Sequence, residues 1–509
     1  MLVLGSAMLA ASALASPSLR KGGIFRVGTS GASVQIDPQL GYVTTAWWLE
    51  YATAAKLYNY PDRGGGRLAP EVATRAIVSN GGKTYTFSIR KGFRFSDGTP
   101  VTAGSFAYAI QRARNKELAS PGGQFVTDVS RVVVRRNRLV IHLTRPDNSF
   151  LSKMAMPFFQ ATSRKLPLTH EVTGAYPSAG PYRFTRNDLN TLTSIRRNPY
   201  YRGHRPHNLV GLDLLWNLNE QTAFQQVQAN QLDEGPLPAA EVAGVVSRYG
   251  VNKSRFWVKP TLCVSYLAFN NMRPLFGHSL ALRKAVNWAV DRTDFAAQAG
   301  TYASTPWTHL LSPAFPGSVT KKRLQPYSVH ANLAKAKRLA GQYVLNRKIT
   351  VGYRSSGTIN PAQAQIVRRD LIRLGFKPEN ITMKQYSGAD IYDAMGVRGN
   401  PLDLGVSLGW CSEYFDSYSI LGFFLAPNNP QAVDSSRYRA KLEATNRLRG
   451  NAHFRALGKL DLAITRNLAP TAAMSTYNNR YFFSDRVDPL SLAWQPVYQD
   501  FSIPALKLK

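Results

Sequence analysis

The chain has 509 residues, 44% of them hydrophobic and 18% charged, with 63 Lys and Arg against 30 Asp and Glu. That length holds several cores, and that composition excludes a disordered chain. A formal charge of +33 would suit an acidic polymer, a membrane or nucleic acid. The basic residues are scattered, however, with no long Lys/Arg tract and no zinc-finger or RNP-like pattern, which points to a solvated basic surface and not to a nucleic-acid partner.

From the start, Leu2 to Ala15 form an apolar run ending in Ala13-Leu14-Ala15 before Ser16-Pro17, the h-region and A-x-A site of a secretory leader over residues 1–21. The run is short for a bilayer span, which needs about 20 apolar residues. No cysteine follows it to carry a lipid, and the mature chain is expected to be soluble and exported. Gly23–Gly28 reads as a strand, the stretch near Trp47–Leu57 as a helix, and Asn59–Pro70 as a turn region in which Gly64-Gly65-Gly66 lacks any phosphate-loop context. Tyr85, Phe87 and Ile89 alternate with polar residues, a half-buried strand. Asp97-Gly98 is a turn, Thr102 caps a helix, and Arg131–Val134 with Arg138–Thr144 form a hairpin.

Farther on, Ser279 precedes an amphipathic stripe at 282, 285, 286, 289 and 290, and Asn332 opens a helix that stops at Gly341. Ile349–Tyr353 reads as a strand, Ala362–Leu374 as a helix ending at Gly375, and Ile381–Gln385 as a strand. This alternation predicts α/β domains. Cys263 and Cys411 are the only cysteines; an even count in an exported chain favours a disulfide, with two buried free thiols as the alternative.

Catalytic patterns are lacking. The eight histidines include His204 and His207, but Pro206 between them prevents the helical spacing that would aim both at one metal. GxSxG, HExxH, CxxC and Walker sequences are absent, so no enzyme, metal or cofactor is expected.

Several ordered stretches resemble the family 5 extracellular solute-binding proteins, the oligopeptide and dipeptide receptors of bacterial ABC importers. They are Ile36-Asp37-Pro38, Leu68–Ala73, the long run Tyr85–Ala103, Ala179-Gly180-Pro181-Tyr182, Arg197–Tyr201, Ala268-Phe269-Asn270 with Leu282–Arg292, and Gly409–Tyr414. Glu413 stands where the family commonly has aspartate, and Ser178-Ala179 where it has Gly-Thr.

The resemblance implies an α/β, periplasmic-binding-protein-like fold of type II: two main lobes with hinge and cleft plus an accessory domain. Lobe I would take 22–40, 172–262 and 478–509, lobe II 41–171 and lobe III 263–477. It implies a monomer at the periplasmic or extracellular cell envelope that captures peptides and hands them to permease and ATPase subunits, meeting the membrane only through that transporter. The alternative cargo is a nickel complex, a haem-like compound, an oligosaccharide or an anionic solute. Some members bridge cysteines at places matching Cys263 and Cys411. Gly409-Trp410-Cys411 and Tyr42-Val43-Thr44 would pair with the ligand backbone, a mode whose affinity is independent of side chains. Glu413 would pair with the ligand ammonium, with Asp416 as the fallback acid. Tyr108 would face the cleft, and Arg398 would take the ligand carboxylate.

Overall fold

The computed structural model describes residues 22–509 apart from 64, 356, 389 and 428. The leader reading and Gly64 therefore lie outside the described residues. An 11-stranded mixed sheet runs through the molecule in the order Ile381–Tyr386, Ile349–Arg354, Leu404–Cys411, Phe256–Phe269, Thr471–Phe483, Glu234–Gly235, Ile24–Gly28, Gly211–Leu215, Leu192–Arg197 and Tyr182–Asp188; Ser304–Pro306 pairs off this path. The half of the sheet around Ile24–Gly28 is the first lobe, and the half around Leu404–Cys411 the third. A separate four-stranded antiparallel sheet, Ala73–Ser79, Thr84–Ile89, Arg138–Leu143 and Val129–Arg135, forms the second. This is the α/β architecture that the resemblance implies.

The first and second lobes share one continuous core, from Phe25 and Trp48 through Phe87, Phe106 and Ile141 to Phe501. Two clusters drawn from residues 262–474 flank the third-lobe half of the sheet. The motifs singled out in the sequence are where these bodies are stitched together. Gly180 has no room for a side chain, because a Cβ there would lie 2.5 Å from the Thr53 carbonyl carbon. Its N–H donates to Thr53 O at 2.7 Å, and Asn198 Nδ2 donates to Gly180 O at 3.0 Å. This contact also ends the first helix. It spans Thr44–Thr53, not Trp47–Leu57, because the chain turns extended at Ala54 to meet Gly180.

In the run Tyr85–Ala103, Asp97 Oδ1 accepts from Thr99 N at 3.0 Å, and Gly98 takes the turn's positive φ of 83°. The helix Ala103–Ala113 follows and carries Arg112, whose guanidinium clamps the Asp37 carboxylate with two 2.8 Å bonds at a fully buried site. Breaking such a pair leaves a buried charge uncompensated, at about 3–5 kcal/mol. Because Gly41 N donates to Asp37 O, the clamp sets the path of the next residues, Tyr42–Thr44.

In the third lobe Ser279 Oγ accepts from Leu282 N and Asn332 Oδ1 from Lys335 N, so both predicted caps form. Asn287 of the helix Leu280–Ala289 donates to Thr471 O at 3.1 Å, and fully buried Arg292, which opens the helix Arg292–Ala297, donates to Ala473 O at 2.6 Å, tying both helices to the strand Thr471–Phe483.

The strands Phe256–Phe269 and Thr471–Phe483 both pass from the first lobe to the third. Their pairing runs from Phe256 to Pro260, breaks, and resumes at Val264. Neither was read from the sequence. Phe256–Phe269 is buried continuously from Thr261 onward, so it carries no alternation to read.

Candidate ligand-binding cleft

Three cavities of about 310, 500 and 480 Å³ adjoin between the third lobe and the body formed by the first two; Thr44 and Gln499 line all of them. Thr44 opens the first helix, and Gln499 is held by hydrogen bonds from Asn479 and Tyr481 to its carbonyl.

The smallest cavity is walled by Tyr42, Val43, Thr44 and Trp47 on one side and by Gly409–Glu413 on the other. Gly409–Cys411 closes the strand Leu404–Cys411. The neighbouring strand Ile349–Arg354 pairs with it only at Leu404 and Gly405. Ser407 then takes a φ of 58°, a bulge-like kink matching the register shift opposite, and from there the outer edge diverges from its neighbour. Cys263 and Cys411 face each other across the inner edge with Cα atoms 4.0 Å apart and form the disulfide. That close spacing marks a pair without mutual hydrogen bonds, so the Cys411 N–H and C=O point outward, toward the cavity.

Glu413 lies just beyond this edge, only 8% exposed, and accepts a 3.2 Å hydrogen bond from the Tyr42 hydroxyl of the opposite wall. Burial pushes its carboxyl up to about 7, with the Tyr42 bond pulling the other way. Trp410 stacks on Phe423 of its own lobe, centroids 4.2 Å apart.

The 480 Å³ cavity shares Cys411 with the first and adds Arg354 and Arg480. Arg354 donates to Ser407 O at 3.2 Å, while its Nε is buried without a hydrogen-bond partner. Arg480 donates to Thr301 O at 3.2 Å, and burial pulls its pKa down. Among the described residues neither guanidinium has a carboxylate within ion-pair distance. The 500 Å³ cavity holds Glu234 and Asp500, both pushed up by burial, with mutual repulsion adding to the effect on Glu234.

Of the residues singled out in the sequence, the fold brings together Tyr42, Val43, Thr44, Gly409, Trp410, Cys411 and Glu413. Tyr108 is placed elsewhere. It donates to Leu166 O at 2.6 Å within the second lobe and lines none of the three cavities. Arg398 is exposed on a surface turn, so the carboxylate role inferred for it has no cavity to act in. Asp416 is spent on His453, 3.0 Å away. Arg354 and Arg480 were missed. The predicted strand stopped one residue short of Arg354, and Arg480 lies on the unread strand Thr471–Phe483. Among the described residues no group of three or more His, Cys, Asp or Glu is placed to hold a metal.

The third lobe also reaches across to the second. Tyr414, 4% exposed, enters the shared core against Phe125. Phe415 meets Tyr60 and Gly66, and Arg145 pairs with Glu443 at 3.0 Å. The clamshell is closed.

A two-lobed body with polar groups converging on an interlobe cleft defines a solute-binding protein. The family described as bacterial extracellular solute-binding proteins, family 5, matches residues 67–432, and the chain belongs to it. The chain is 26% identical over 360 residues to the probable deoxycholate-binding periplasmic protein YgiS of Escherichia coli, covering 66% of each. It is 25% identical over 268 residues to the oligopeptide-binding protein OppA of Bacillus subtilis, covering 48% of this chain and 49% of that one. The match thus spans about half to two thirds of these relatives' length. Among solved structures, clavulanic acid biosynthesis oligopeptide binding protein 2 superposes with a TM-score of 0.83 at 21% identity, covering 97% of this chain and 96% of that one.

Proposed function

We propose that the chain is the exported solute-capture component of an ABC importer, and that its cargo is a short peptide held by both ends. The observation that carries this is the charge layout of the cleft. Buried Glu413 stands on one side of a strand edge that is open at Cys411, the Gly409 N–H being donated to the Tyr392 hydroxyl, and Arg354 and Arg480, without carboxylate partners, stand on the other. A zwitterion with a backbone between its charges fits that layout. The strand edge pairs with its amides, Glu413 with its ammonium, and a guanidinium fork with its carboxylate. Lobe I (22–40, 172–262, 478–509) and lobe III (263–477) close by hinging at the pairing break between Pro260 and Val264, with lobe II (41–171) riding on the first. The protein works in the periplasm or at the cell envelope and delivers to permease and ATPase subunits.

A non-peptide solute is the second reading. It is favoured by the deoxycholate-binding relative and by the aromatic and aliphatic wall Tyr42, Val43, Trp47 and Val497. Native mass spectrometry of protein secreted by its own host separates the two. We expect bound adducts that fragment into short peptides; a single non-peptide mass in the cleft overturns the reading.

A further inference from the structure

The outer face of the second-lobe sheet is unlike the rest of the surface. Its four strands, Ala73–Ser79, Thr84–Ile89, Arg138–Leu143 and Val129–Arg135, contain no Asp or Glu at all. Their inner side chains, including Phe87, Leu139 and Ile141, pack in the core, so the opposite set faces water. The register lines that set up in rows. One row is Arg75, Ser88, Arg138 and Arg135; the next is Ile77, Thr86, Val140 and Val133; the third places His142 beside Arg131. Arg75, Arg131, Arg135 and Arg138 are exposed, as is Arg136 at the hairpin tip. Among the described residues none of these five has a carboxylate within ion-pair distance. Asp128, at the foot of the hairpin, is taken by Arg145 at 2.9 Å.

Arg135 and Arg138 are directly opposed, an arrangement in which like charges repel and destabilise the sheet. The row between the arginines is apolar apart from Thr86; Ile77 is 44% exposed, Val140 and Val133 are half-buried, and none of them belongs to a buried cluster. Repelling cations around a partly exposed apolar strip suit an anion that also offers an apolar boundary.

We propose that this face docks on an anionic lipid bilayer. Lipid phosphates relieve the Arg135–Arg138 repulsion, and the Ile77–Val133 row sits at the headgroup boundary. A soluble polyanion satisfies the arginines but gives the apolar row nothing. The attraction of basic residues near an anionic bilayer adds up residue by residue, and four correspond to a change in partition well above tenfold.

The test is co-sedimentation of the full mature chain with vesicles of phosphatidylcholine alone or with 30% phosphatidylglycerol. We expect binding only to the anionic vesicles. Replacing Arg75, Arg131, Arg135 and Arg138 by Gln should weaken it at least tenfold without lowering the melting temperature, which relief of the Arg135–Arg138 repulsion should if anything raise. A control quadruple, Lys321, Lys322, Arg323 and Lys348 to Gln on the third lobe, removes the same charge and should change it less than threefold. Ile77→Ser with Val133→Ser should weaken vesicle binding while leaving binding to soluble polyphosphate intact. Equal losses in both Arg/Lys quadruples would reduce the effect to net charge and overturn the proposal. So would a serine pair that leaves vesicle binding unchanged, since the surface would then be reading a polyanion.

Discussion

Glu413 concentrates the electrostatics of the cleft. Its carboxyl is pushed from 4.5 to about 7 chiefly by burial, a difference of about 3 kcal/mol between its protonation states. The closed fold therefore holds a proton that the unfolded chain has released above about pH 4.5, and the stability of that closed state falls as pH rises from there to about 7. An ammonium in the cleft reverses that sign, because it pairs with the ionised form. The rise in melting temperature caused by a saturating tripeptide should thus be larger at pH 7.5 than at pH 5.5. Glu413→Gln should abolish the difference and weaken binding by about 2–5 kcal/mol. A ligand-induced shift that is the same at both pH values in the wild type would remove Glu413 from recognition. Its place on the cleft wall was legible because the stretch Gly409–Tyr414 is specific. Arg354 and Arg480 were not, since their meaning comes from the cavity they share and not from their neighbours in sequence.

At the scale of elements, closure rests on the segment after Glu413. Tyr414 plugs the core of the first two lobes, and Phe415 leaves no room at Gly66, where a Cβ would lie 1.7 Å from its ring. Gly66 does not have a positive φ, so alanine suits its backbone and objects only to the closed state. Gly66→Ala should leave the ligand-free melting temperature within about 1 °C, lower peptide affinity about tenfold, and prevent the ligand-induced decrease in scattering radius. Full compaction in that variant would show that these contacts do not gate closure. Elements with local signals were read well: the strand of Tyr85, Phe87 and Ile89, the turn at Asp97-Gly98, and the helices capped by Ser279 and Asn332. The helix at Thr44–Thr53 was misplaced because tertiary contact with Gly180 ends it, and the two lobe-crossing strands were invisible because burial on both faces erases their period.

For the whole molecule, the cleft is lined from both sides of one pairing break in the sheet that joins the lobes. Thr44 and Gln499 come from one side and Gly409–Glu413 from the other, so a ligand touching both is a cross-lobe tie that stabilises the closed form by mass action. In the proposed function this tie uses both termini of a peptide. Calorimetry with one tripeptide, its N-acetylated twin and its C-amidated twin tests this. We expect tight binding of the free peptide and at least tenfold weaker binding of each capped twin, with Glu413→Gln insensitive to acetylation and Arg354→Gln insensitive to amidation. Equal affinity of the wild type for all three would contradict it.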